Sequence, residues 1–74
     1  MRLSDMALGN AGRITRIVGG RGFHQKLAMR GIKEGSTIAV KKSSLSGGPV
    51  VIEVDRNSIA LGKGMAKKIY LESG

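Results

Sequence analysis

Residues 19–35 read GGRGFHQKLAMRGIKEG and contain the clearest helix signal in the chain. The glycines at the start allow backbone angles with positive φ, through which a strand can turn into a helix. Phe23–Arg30 then runs without Gly or Pro and consists mostly of good helix formers. Gly31 follows at the position where helices often end in a left-handed residue. The stretch therefore predicts a short helix over Phe23–Arg30, and the helical period places Phe23 and Leu27 on one face as its anchors in the core.

On both sides of this helix, short apolar stretches are separated by Gly, Asn, Asp and Ser, which is typical of strands and turns. The predicted strands cover residues 13–18, 36–42, 50–54, 58–61 and 69–72. Val50–Val54 shows the clearest alternation, whereas Ile14 and Ile17 break it in the first strand and predict a β-bulge there. We expect a flexible hairpin loop at 43–48 and one helical turn within 62–68.

Length and composition limit the class of protein. A chain of 74 residues is close to the lower size at which one hydrophobic core is sufficient, so we expect a single domain over 1–74. The element pattern predicts a mainly β fold, a small curled sheet or barrel of about five strands with one inserted short helix. The absence of cysteine fits a reducing compartment, and no apolar run resembles a signal peptide or a membrane span. We therefore expect a soluble protein.

The charge balance favours anionic partners. Thirteen Lys and Arg against five Asp and Glu give a net charge of +8, which attracts nucleic acid, acidic protein surfaces or an anionic membrane. A solvated basic surface with no partner is the plain alternative. Phe23 and Tyr70 are the only aromatic residues, so a platform for stacking bases is poorly supplied.

The residues needed for catalysis are scarce. With one histidine and no cysteine, a single copy can form neither a Cys–His pair nor a multi-histidine metal site. His24 could act as a base or as a metal ligand in an assembly, but a polar residue at the edge of the helix is the favoured interpretation. Residues 19–22 match neither the dinucleotide-binding nor the P-loop spacing. We expect no enzyme activity, no catalytic residue, no metal ligand and no bound cofactor.

A set of short motifs runs in order along the whole chain. It consists of Leu3-Ser4-Asp5, Gly12-Arg13-Ile14, Ile17, Gly19-Gly20, Lys26-Leu27, Gly31-Ile32, Gly35, Pro49-Val50-Val51-Ile52-Glu53-Val54, Ile59-Ala60-Leu61, Ala66, Ile69 and Leu71. Together these residues resemble the FeoA family. The resemblance implies a small SH3-like barrel with an inserted helix. It also implies a cytosolic accessory protein of ferrous iron uptake that works with the membrane GTPase-transporter FeoB. Ferrous iron or another transition metal is associated with the chain through this resemblance alone.

The predicted partner contacts lie mainly on the helix. They are Arg21, His24, Lys26, Met29 and Arg30, with Lys41 and Lys42 as a weaker set. The favoured function is a protein-interaction module for the cytosolic domain of FeoB, with an anionic membrane surface and a second copy of the chain as further partners. A small basic barrel that binds nucleic acid is an alternative favoured by charge and disfavoured by the scarce aromatics. A protein that binds a transition metal weakly is another.

Overall fold

Five strands form one antiparallel sheet in the computed structural model, which describes residues 1–73. They are β1 (Ala11–Ile17), β2 (Thr37–Lys42), β3 (Val50–Val54), β4 (Asn57–Leu61) and β5 (Ile69–Ser73). The order across the sheet is β4-β3-β2-β1-β5. The helices are α1 (Arg21–Ala28) and the short α2 (Lys63–Ala66), and two 3₁₀ turns cover Leu3–Asp5 and Ser44–Ser46. The predictions of a mainly β fold and of a helical turn before the last strand are both confirmed.

The core lies on one face of the curled sheet. In β3, burial alternates as the sequence predicts, with Val50, Ile52 and Val54 buried and the two residues between them half-buried. Every strand contributes buried aliphatic side chains, and the 3₁₀ turn at the N-terminus adds Leu3. These side chains share one cluster, so the sheet, α1 and the N-terminal turn are held together by a common core.

The strand β1 lies between β2 and β5 in the sheet. It pairs with β2 through Ala11–Arg13 and with β5 through Gly12–Ile17, and the register with β5 shifts between Ile14 and Arg16. This shift is the predicted β-bulge, and it bends the strand. A Cβ added at Gly12 would lie 2.7 Å from the carbonyl oxygen of Glu72, so the close approach of β1 to β5 at this position requires glycine.

The helix α1 differs from the prediction in its bounds, beginning at Arg21 and ending at Ala28 rather than running from Phe23 to Arg30. Gly20 has an extended backbone and starts the helix, so the glycine at position 22 is inside the first turn. At the other end, Gly31 has φ +82, as expected for a left-handed residue. The backbone N–H groups of Gly31 and Ile32 donate to Ala28 and Leu27 respectively, which is the hydrogen-bond pair of a Schellman motif.

The two predicted anchors of α1 are buried to different extents. Leu27 is only 1 % exposed and belongs to the core, together with Ile32 just beyond the helix. Phe23 is half-buried and packs against the edge of the core. The prediction of two core anchors is therefore confirmed for Leu27 and corrected for Phe23, whose ring is near the first turn, where the core ends and solvent begins.

The loop predicted to be flexible at 43–48 contains the second 3₁₀ turn, which contacts the N-terminal turn. The Ser44 hydroxyl is buried and donates to the backbone oxygen of Ser4 at 2.8 Å. The Ser43 hydroxyl donates to the backbone oxygen of Met6 at 2.8 Å. Side-chain hydrogen bonds to a distant backbone thus give this segment a defined position, a role that a Ser/Gly-rich sequence does not reveal.

Candidate interaction surface on the helix

Most of the predicted contact residues lie on α1 or directly after it. Arg21, Lys26, Met29 and Arg30 are all exposed, as the helical period predicts, and Met29 is 88 % exposed. His24 is half-buried. Met29 is an exposed apolar residue three positions after Lys26, so the two side chains lie on the same face of the helix. Met29 and Arg30 directly follow α1. At about 100° per residue, Lys26 and Met29 share one side of the helix, whereas Arg21 and Arg30 lie on opposite sides. We refer to the five residues together as the α1 surface, which has a methionine among cations.

The cations of this surface have no carboxylate partner. Within residues 1–73, the structure shows three ion pairs, Arg2–Asp5, Arg13–Glu72 and Lys41–Glu53, and none of them includes a residue of α1. The helix itself contains no acidic residue. The positive charge of Arg21, Lys26 and Arg30 is therefore available to an external anion.

A further cation lies at the start of α1. The Lys68 ammonium group lies 5.4 Å from the centre of the Phe23 ring, in a cation–π arrangement. The backbone N–H of Val18 donates to the Lys68 carbonyl, which places the start of β5 beside the residues that lead into the helix. Sequence reasoning missed Lys68, because it is far from the helix in the chain and comes near it only through the pairing of β1 with β5.

The hairpin between β3 and β4 lies at the other end of α1. A Cβ added at Gly31 would be 3.5 Å from the Asp55 carboxylate and 3.5 Å from a methyl group of Val54. Arg56, the next residue, is exposed. This turn therefore places the acidic side chain of Asp55 close to the end of the helix.

Lys41 and Lys42, the weaker predicted set, are not part of this surface. The hydroxyl of Ser36 at the start of β2 donates to the carbonyl of Gly31, so that end of the strand is next to α1. Lys42 ends β2, which places it about 20 Å away at the usual rise of an extended strand. Lys41 also has a carboxylate neighbour, Glu53, at 3.6 Å. The two lysines belong to a separate part of the molecule.

The described residues do not bring together the groups of a metal centre. In residues 1–73, no three His, Asp or Glu side chains form a group that could hold an ion. None of the helices described is long and apolar enough to cross a membrane. The chemistry that this surface offers is electrostatic attraction and hydrogen-bond donation, with an apolar contact at Met29.

Fold and surface together define a small SH3-like barrel whose first two strands are joined by an exposed basic helix. The comparison with protein families identifies it further. The chain belongs to the FeoA family, since the model of the FeoA domain matches residues 1–73.

Relatives agree with this assignment. The chain is 37% identical over 59 residues to a putative Fe(2+) transport protein A of Methanocaldococcus jannaschii, over 80% of this chain and 70% of that one. It is also similar to the crystal structure of an iron uptake regulatory protein (FeoA), with a TM-score of 0.91 and 35% identity, over 100% of this chain and 97% of the other. The family is thus one of ferrous iron transport, and the resemblance seen in the sequence is confirmed.

The same fold occurs within larger proteins. The chain superposes on the crystal structure of T. acidophilum IdeR with a TM-score of 0.87 and 23% identity, over 100% of this chain and 34% of that one. At this identity the likeness concerns the fold, which confirms the SH3-like barrel with an inserted helix.

Proposed function

We propose that this protein is a cytoplasmic interaction module that binds the cytosolic domain of the membrane GTPase-transporter FeoB and regulates ferrous iron uptake. Membership of the FeoA family supports the link to iron transport. The observation that carries the proposal is the α1 surface, where Met29 is exposed among cations that have no carboxylate partner in the described chain. Methionine and arginine are both enriched in protein–protein interfaces.

Each part of this surface has a separate role in the proposal. Lys26 and Arg30 attract an acidic region of the partner and raise the association rate. Met29 is buried on contact, and its flexible side chain adapts to the shape of the partner. Arg21 and His24 donate hydrogen bonds from the first turn of the helix. Such a module needs no catalytic residue of its own, and the curated relative is named for Fe(2+) transport.

Titration against the isolated cytosolic domain of the transporter tests the proposal. The double substitution Lys26→Glu and Arg30→Glu should weaken binding at least about tenfold, because two attractions become repulsions. Lys41→Glu with Lys42→Glu is the matched variant, since it changes the net charge equally at the far end of β2. Unchanged affinity in the α1 variant, or equal losses in the two variants, would show that the α1 surface is not the binding site.

Nucleic acid is the second candidate, favoured by the net charge of +8. Binding to a mixed-sequence oligonucleotide should then be micromolar at low salt and fall steeply as salt increases. No binding at low salt would exclude this function. The protein-partner proposal predicts that oligonucleotides bind far more weakly than the transporter domain at physiological ionic strength.

A further inference from the structure

The two edges of the sheet are covered differently. At the β5 edge, Met1 and Leu71 exchange backbone hydrogen bonds, with the Met1 ammonium group donating at 3.1 Å and the Leu71 N–H donating at 2.7 Å. Arg2 forms an isolated β-bridge with Tyr70. At the opposite edge, β4 pairs with β3 alone. One edge of the barrel is therefore closed by the N-terminal residues, and the other is open.

The register of the β3–β4 hairpin shows which groups of β4 face outward. Asp55 and Arg56 have φ 48 and 70, the signature of a two-residue type I′ turn, which is closed by a hydrogen-bonded pair, here Val54 and Asn57. Because hydrogen-bonded and non-hydrogen-bonded pairs alternate in an antiparallel ladder, the next residue that bonds to β3 is Ile59. The residues between them in the pattern, Ser58 and Ala60, direct their N–H and C=O groups away from the sheet.

These outward groups are available to a partner. Ser58 and Ala60 are exposed, and no residue of the described chain outside β3 forms a hydrogen bond with their backbone. Natural edge strands are usually protected by Lys, Pro or a bulge. The strand Asn57–Leu61 contains neither residue, and its register with β3 is continuous. This edge lacks the usual devices that prevent strand addition.

Charge determines the chemistry of the occupant. The strand β4 contains no acidic side chain, and a cation lies on each side of it in the chain. Asp55 precedes Arg56 in the same turn, but its carboxylate lies toward Gly31 at the end of α1. Arg56 directly precedes β4, and Lys63 follows it closely. A second copy of the chain, which also has a net charge of +8, would be repelled here. An extended segment with carboxylate side chains complements the edge in both backbone and charge.

We propose that β4 binds an extended acidic segment of a partner protein, which adds to the sheet as a further strand through the outward N–H and C=O groups of Ser58 and Ala60. Backbone pairing gives affinity in this mode of recognition, and the flanking cations select for acidic sequences. The proposal deepens the role of the protein as an interaction module, and it depends neither on the α1 surface nor on which transporter domain supplies the segment.

The test uses the full chain and two short synthetic peptides, in which Thr and Val alternate with Glu in one and with Lys in the other. We expect the acidic peptide to bind, as measured by fluorescence anisotropy, and the basic peptide not to bind. In NMR hydrogen-exchange measurements, the amides of Ser58 and Ala60 should exchange quickly in the free protein. They should become protected, by at least about fivefold, when the acidic peptide is added.

A pair of variants at position 60 isolates the backbone contribution. Ala60→Pro removes an outward N–H that has no partner within the fold, and proline is tolerated at such edge positions. This variant should lose about tenfold or more in affinity for the acidic peptide, through the lost hydrogen bond and the bulk of the ring. Ala60→Val keeps the N–H group and should bind as the unmodified chain does.

Several results would overturn the proposal. One is peptide binding without protection of the two amides, which can be measured in the unmodified chain even if Ala60→Pro fails to fold. Equal binding of the acidic and the basic peptide would also overturn it. So would protection of the same two amides by self-association of the chain at high protein concentration. The variant with charge reversal on α1 distinguishes this inference from the proposed function, because it changes the α1 surface and leaves β4 unchanged. If the transporter domain does not bind but the acidic peptide does, the proposed function fails and this inference stands.

Discussion

Two buried serines provide a sharp test of the fold. Ser44 is 2 % exposed, and its hydroxyl donates to the backbone oxygen of Ser4 at 2.8 Å. Ser4 is 3 % exposed, yet its own hydroxyl has no hydrogen-bond partner among the residues described. The two side chains are chemically identical and equally buried, and they differ in whether the hydroxyl is satisfied. Their replacement by alanine should therefore have different consequences.

Ser44→Ala removes a hydrogen bond and leaves a buried carbonyl without its donor, which should lower the free energy of unfolding by about 1–3 kcal/mol. For a chain of this length, a loss of about 2 kcal/mol corresponds to a decrease in the melting temperature of about 8–16 °C. Ser4→Ala removes a hydroxyl that is buried without compensation, so stability should stay the same or rise by up to about 1 kcal/mol.

Urea denaturation of the two variants and the unmodified chain, followed by circular dichroism, measures both effects. The slopes should agree among the three proteins, so that shifts of the midpoint report stability directly. Equal destabilisation by Ser4→Ala and Ser44→Ala would refute the reasoning, because it would mean that both hydroxyls are hydrogen-bonded. The N-terminal turn and the 3₁₀ turn after β2 would then be joined differently.

Further predictions concern the helix α1 and two glycines, one in β1 and one after the helix. Leu27→Ala should lower the free energy of unfolding by about 2–5 kcal/mol, because the side chain is fully buried. Phe23→Ala should lower it by about 1–2 kcal/mol, since the ring is half-buried. Denaturant titration compares the two variants, and the reverse ranking would contradict the packing described. Gly12→Ala places a Cβ 2.7 Å from the Glu72 carbonyl oxygen and should cost about 1–3 kcal/mol. An unchanged midpoint would mean that β1 and β5 lie further apart. Gly31→Ala should cost about 1–2 kcal/mol because φ is +82; thermal melts should show a smaller loss for Gly31→Asn, and equal losses would argue against the left-handed conformation.

Local patterns in the sequence were sufficient for most of the elements. Val50–Val54 was predicted with the observed bounds, because burial on one side of a strand imposes a two-residue period that is visible in the residues themselves. The bulge in β1 was predicted from the spacing of Ile14 and Ile17. Gly31 was recognised as the end of the helix because few other residues accept positive φ.

The start of α1 was misplaced by two residues because Arg21 and Gly22 are helical in spite of the low intrinsic propensity of glycine.

Contacts between distant residues could not be predicted from local patterns. The burial of Ser44 depends on a backbone oxygen forty positions away, that of Ser4. A tertiary partner of this kind leaves no local period or turn signal in the sequence.

The candidate surface was predictable in part. The exposure of Lys26, Met29 and Arg30 follows from the helical period once Leu27 is placed in the core. The position of Lys68 above Phe23 depends on strand pairing and was not foreseen. The role of these residues in binding a partner stays a prediction.

The pairing of β1 with β5 has a consequence for how the chain reaches its native state. Residues 12–17 must meet residues 69–73, so nearly the whole chain has to be closed into a loop before this pairing forms. The β2–β3–β4 meander needs shorter closures and can assemble first. Folding should therefore take about milliseconds to seconds, as in other small barrels dominated by distant contacts, and the last strand to join should be the one beside the N-terminal residues.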